Sequence, residues 1–176
     1  HNIFGENYLQ EAIDKQKSLT DHKIEWHFIG PIQSNKCTLI AENFSWVHSV
    51  DRIKVANKLN NSLKEKTSLN VCMQVNISNE DSKSGLKINE IDSLAEHINS
   101  LDKLTLRGLM AIPSNTSNDE ILKNEYKQLK VLYENLKKKY LSVDTLSMGM
   151  SNDYLLAIEN GSNLVRIGSK IFGKRT

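Results

Sequence analysis

The sequence has little with which to build a disulfide framework or a metal centre. Its two cysteines, Cys37 and Cys72, share no ligand spacing, which excludes a stapled extracellular scaffold and leaves two reduced thiols of the cytosolic kind. No apolar run approaches the roughly 20 residues that cross a bilayer, and no signal-peptide pattern opens the chain. An excess of one charge is lacking as well. Lys and Arg total 23 against 21 Asp and Glu, a net charge of +2, too weak a field to recruit nucleic acid or an anionic membrane. Arginine is scarce, four against 19 lysines, so each of Arg52, Arg107, Arg166 and Arg175 merits closer inspection. The common signatures are missing too: no P-loop, no H-E-x-x-H and no Ser-His-Asp arrangement. His48 and His97 have no companions that would complete a metal site.

What the sequence does have is an ordinary globular composition, with 39% hydrophobic and 25% charged residues, enough to bury one core in a single domain over 1–176. Short apolar runs alternate with amphipathic stretches throughout. The runs at 2–5, 24–30, 46–50, 70–78, 104–112, 145–150 and 163–168 read as strands. Ile88, Ile91, Leu94, Ala95, Ile98 and Leu101 share one helical face, as do Leu122, Tyr126, Leu129, Leu132, Leu136 and Tyr140. Lys137, Lys138 and Lys139 suit the C-terminal end of that second helix and read as a solvated helix end. Strict alternation of this kind predicts a parallel sheet with right-handed crossovers. No G-x-G-x-x-G follows the first strand, which weighs against a dinucleotide-binding open sheet. The expected architecture is an α/β (β/α)8 TIM-type barrel missing its first strand-helix unit, since seven units are visible and such barrels usually take about 250 residues. A chain that starts at His1 and enters strand-like sequence at once fits an N-terminal truncation.

In such folds the site lies at the C-terminal ends of the strands. The last two units carry the clearest signal there. "SMGMSND" and "RIGSKIFG" put Gly149 and Gly168 where backbone can approach a ligand closely, and Ser151 at a helix start that favours an anion. Arg166 sits among apolar neighbours in "LVRIG", so its guanidinium needs an acceptor: a carboxylate inside the barrel or a ligand beside the phosphate-type loops. His27, alternating with Trp26 and Phe28, reads as structural. Lys36 reads as an exposed helix start and Lys83 as a solvated loop lysine.

"FGENYLQEA", "WHFIGPIQSNK", "VNISNEDSKSGL", "LRGLMAIP", "LSMGMSND" and "VRIGSKIFG", in that order from Phe4 to Gly173, together resemble the pyridoxal phosphate homeostasis family (YggS/PROSC). The resemblance implies a barrel similar to the alanine racemase N-terminal domain that holds pyridoxal 5′-phosphate without catalytic turnover. It implies that Ser151, Gly168 and Ser169 bind the phosphate, that Arg166 donates to the pyridine nitrogen, and that Asn7 and Met148 line the site. The expected partners are the cofactor and apo-enzymes that use it, in the cytoplasm to which the reduced thiols point; no exposed heptad or long apolar stripe argues for a large assembly, so a monomer is expected. Family members hold the cofactor as a Schiff base on a lysine upstream of the "FGENY" motif, and no lysine of this chain matches that position. The alternatives are a racemase-like enzyme, a barrel enzyme for another phosphorylated metabolite, and a degenerate fragment with weak non-covalent cofactor binding. Alanine racemases add a β-domain with a catalytic Tyr, which nothing after Gly173 would encode, so the carrier is the expectation. No catalytic or metal-ligating residue is expected.

Overall fold

A computed structural model describes residues 1–65, 67–80 and 83–173. Arg175 lies outside the described residues. Seven strands appear where the apolar runs predict them: β1 (Ile3–Glu6), β2 (Glu25–Phe28), β3 (Trp46–Val50), β4 (Leu69–Val75), β5 (Leu104–Ala111), β6 (Thr145–Met150) and β7 (Leu164–Arg166). Helices α1 (Leu9–Ser18), α2 (Cys37–Asn43), α3 (Ile53–Ser62), α4 (Ile91–Asn99), α5 (Asp119–Lys139), α6 (Tyr154–Glu159) and α7 (Ser169–Phe172) follow them one for one. All neighbours are parallel, and the spatial order is the chain order, β1 to β7. This is the TIM-type barrel arrangement, with β1 and β7 each bonded to a single neighbour among the described residues.

Alternation along each strand sorts side chains into an outer and an inner set. Val47, Val71, Met73, Leu106, Leu109, Leu146 and Met148 face outward and pack with Leu59, Leu94, Ile98, Leu129 and Leu136 of the helices. Each such side chain contributes about 1.5–3 kcal/mol by leaving water. The inner set is small and mixed: Trp46, Cys72 and Met110 form a separate cluster, beside His27, His48 and Ser147, all buried.

Local chemistry explains the element ends. Asn118 caps α5, its side chain accepting from Glu120 N at 3.0 Å, and Lys137, Lys138 and Lys139 close the same helix. The periodic stretch at 88–101 begins with a 3₁₀ turn (Ile88–Glu90) and becomes α-helical only at Ile91. There the Glu90 side chain reaches back to Lys87 N at 2.8 Å and tightens the first turn. Gly149 closes β6 at φ +92°, where a Cβ would lie 2.5 Å from Ala157 Cβ of α6. A glycine is needed there for packing against the helix.

Candidate functional site

The strands deliver Arg166, Ser151 and Gly168 to one place. Met150 pairs with Arg166 across β6 and β7, so the residues that follow, Ser151 on one strand and Gly168 on the other, leave the sheet side by side at its C-terminal face. Ser151 is 7% exposed and lies in the turn before α6, with Asp153 rather than Ser151 in the N-cap position. Its Oγ accepts from Gly168 N at 3.2 Å and lies 3.4 Å from Lys170 N. Two main-chain N–H groups thus converge on a single oxygen. A Cβ built on Gly168 would meet nothing within 4 Å, so this cradle opens outward, and Ser169 lies exposed on its rim.

Arg166 ends β7. Its Nη1 donates to Ser147 O at 2.9 Å and Ser147 Oγ at 2.8 Å, and Nη2 donates to Ala111 O at 2.8 Å. The acceptors are therefore two main-chain carbonyls and a hydroxyl, not the carboxylate considered from sequence. Burial lowers its pKa to about 10, which leaves it cationic at neutral pH. A guanidinium carries five N–H groups, so the Nε–H and one Nη2–H remain uncommitted among the described residues.

The loop bearing Ser151 is braced from behind. Asp153 accepts from Met150 N at 2.7 Å and from the Tyr126 hydroxyl of α5. Burial and the Asp153 carboxylate together raise the Tyr126 pKa, keeping it a donor. Lys170 Nζ stands 4.6 Å over the Tyr154 ring and adds a cation at the rim.

Two expectations need correction. Met148 is fully buried in the cluster between sheet and helices. It alternates with Ser147, whose hydroxyl faces Arg166, so the Met148 side chain points away from the site. Lys83 is not a solvated loop lysine: its Nζ donates to Pro113 O at 2.9 Å and pairs with Glu80 at 2.9 Å, with its side chain 23% exposed. Asn7 lies exposed just beyond the C-terminal end of β1. Lys36 stands exposed at the start of α2, as expected. Both cysteines are free and buried; burial raises the Cys72 thiol to about 12, so it is inert. Among the described residues no cluster of His, Cys, Asp and Glu could hold a metal ion, and no helix is long and apolar enough to cross a membrane.

Sequence reasoning missed Ser147, Tyr126 and Asp153 as supports of the site. Ser147 alone had a signal, as the hydroxyl between Leu146 and Met148 in the body of an apolar strand.

A family model for the N-terminal domain of alanine racemase matches residues 1–176. The pyridoxal phosphate homeostasis protein of Vibrio alginolyticus is 51% identical over 177 residues, covering 98% of this chain and 76% of that protein. Its Escherichia coli K12 namesake is 48% identical, covering 98% and 75%. Among solved structures, PipY of Synechococcus elongatus superposes with a TM-score of 0.92 without pyridoxal phosphate and 0.90 with it bound. Those two are 33% and 32% identical and cover 98% of this chain and 82% of theirs. The alanine racemase of Clostridium difficile shares the fold at a TM-score of 0.81 and 13% identity, over 99% of this chain and 45% of that one.

Proposed function

The chain belongs to the pyridoxal phosphate homeostasis proteins, built on the alanine racemase N-terminal domain, and from that premise we propose that its barrel mouth binds pyridoxal 5′-phosphate and holds it for release to apo-enzymes rather than turning it over. The observation that carries this reading is the pairing of a cradle of two main-chain N–H groups and a hydroxyl with a half-buried cation that has no carboxylate hydrogen-bond partner. Gly168 N and Lys170 N already converge on the Ser151 oxygen, an arrangement that also suits a phosphate oxygen, with the Ser151 and Ser169 hydroxyls adding donors. The uncommitted N–H groups of Arg166 suit an acceptor such as a pyridine nitrogen. Asn7 bounds the mouth on the β1 side.

Bound there, the cofactor would supply an aldehyde and an electron-withdrawing ring. Arg166 donates and cannot give up its proton at neutral pH, so it keeps the ring nitrogen unprotonated and blunts that withdrawal, which favours storage over catalysis. Lys83, an amine near the mouth, is engaged by Glu80 and Pro113 O, which supports non-covalent holding by this chain.

The test is an absorbance titration of the purified chain with pyridoxal phosphate, alongside Arg166→Ala and a competition with inorganic phosphate. Saturable binding that weakens in the variant and is displaced by phosphate is expected. Equal affinity in wild type and Arg166→Ala would remove Arg166 from the site.

A further inference from the structure

Behind the mouth, the barrel interior holds a line of polar contacts that ends on Arg166. His27 Nδ1 and His48 Nε2 are 2.9 Å apart, His27 Nε2 meets Glu25 Oε1 at 2.9 Å, and His48 Nδ1 meets Ser147 Oγ at 3.2 Å. Ser147 Oγ in turn accepts from Arg166 at 2.8 Å. The line climbs from one face of the barrel to the other. Glu25 is the first residue of β2, with its side chain 43% exposed, and Arg166 is the last of β7. Between them His27, His48 and Ser147 are 3%, 0% and 0% exposed.

The chemistry of the two ends fixes the direction of every bond between them. A guanidinium only donates, so the Ser147 oxygen accepts and its own proton is free to go to His48 Nδ1. A carboxylate only accepts, so His27 carries its proton on Nε2. The single proton left between the rings then sits on His48 Nε2 and is donated to His27 Nδ1. Both imidazoles are neutral Nε2–H tautomers. The reverse arrangement would set the His27 Nε2 lone pair against the Glu25 carboxylate.

The surroundings agree. Burial, then His27 and Arg166, hold His48 well below its ordinary pKa, and burial lowers His27 despite Glu25. The charged and titratable groups around the pair are Glu25 from β2, Cys72 from β4, Arg107 from β5 and Arg166 from β7. Arg107 lies beyond Trp46 and is paired with Asp144: its guanidinium is 4.6 Å from the indole, which stacks on His27 at 5.0 Å and 11°.

We propose that Glu25, His27, His48 and Ser147 are positioning residues, a polarised hydrogen-bond relay that holds Arg166 from behind and aims its uncommitted N–H groups at the mouth. The relay is a property of the protein alone; only its effect on affinity rests on the reading of the mouth as a pyridoxal phosphate site.

The test is a long-range proton–nitrogen correlation on histidine- and arginine-labelled full chain at neutral pH. It should show two neutral Nε2–H histidines, assigned with His27→Gln and His48→Gln, and slowly exchanging Arg166 guanidinium protons. Ser147→Ala should speed that exchange, redistribute the His48 tautomers and weaken pyridoxal phosphate binding roughly tenfold, the size of one lost hydrogen bond to a charged group. Ser147→Thr, which keeps the hydroxyl, should restore all three. A wild-type His48 that is charged or protonated on Nδ1 overturns the relay, whether or not Ser147→Ala folds. So does a folded Ser147→Ala with unchanged Arg166 exchange. Failure of the wild type to bind pyridoxal phosphate would overturn the function reading instead, with the tautomers and the exchange still deciding the relay.

Discussion

Arg166 stores its worth in the groups it satisfies. Truncation to Ala frees the Ala111 and Ser147 carbonyls and the Ser147 hydroxyl, and leaves the relay without its donor. We expect Arg166→Ala to lose about 1–3 kcal/mol of stability, measured by urea unfolding, in addition to its weaker ligand binding; a stability matching wild type would mean that water replaces the guanidinium at no cost. Gly149 answers to a different constraint. Gly149→Ala places a Cβ 2.5 Å from Ala157 Cβ at a backbone φ of +92°, so overpacking and backbone strain add. A loss of about 2–4 kcal/mol is expected, read as a lower urea midpoint with the m-value unchanged; a neutral Ala would show that β6 and α6 can separate freely. At this scale the sequence was half legible. Arg166 betrayed itself as a cation in an apolar strand. Its partners did not, because Ala111 and Ser147 contribute main-chain carbonyls, which any residue could offer. Met148 misled because the motif that contains it also contains Ser147, and a strand can turn only one of two neighbours inward.

Among the elements, the strands were the most legible part. Each is covered by helices on one side and a filled interior on the other, so it reads as a short apolar run, and the interruptions between runs hold the helices. Long-range contacts between elements were not legible, and the brace from α5 to the β6–α6 loop is the clearest case. Tyr126 looked like one more apolar residue on a helical stripe, and only the fold brings its hydroxyl to Asp153. Tyr126→Phe keeps the packing and removes that bond, leaving one Asp153 oxygen to water. We expect about 1–2 kcal/mol of destabilisation and faster amide exchange at Met150, where the Ser151 loop begins, and at Gly168, whose N–H donates to Ser151. Exchange that rises evenly over the molecule, with no excess at those amides, would mean the brace stabilises the fold without shaping the site.

For the whole molecule, the buried histidine pair ties stability to pH. Both His27 and His48 have folded-state pKa values below the ordinary 6.5. Unfolding restores that value, so below about pH 6.5 the unfolded chain binds protons that the folded chain refuses, and acid favours unfolding. The contribution is complete above pH 6.5 and is lost as pH falls from there toward the folded values. Each histidine adds a slope of up to about 1.4 kcal/mol per pH unit. The carboxylates with lowered values, Glu80, Glu134 and Asp144, start from 4.5, 4.5 and 3.8, so their loss comes later, in stronger acid. The interval between pH 6.5 and about 5 therefore belongs to the barrel interior. Urea unfolding across that interval should show stability falling with acid, and the slope should flatten in His48→Gln, which cannot take up a proton. A slope that His48→Gln leaves intact would place the acid-sensitive groups elsewhere and return the interior histidines to inert packing. A flattened slope would mean that the interior that supports Arg166 also sets the acid limit of the fold.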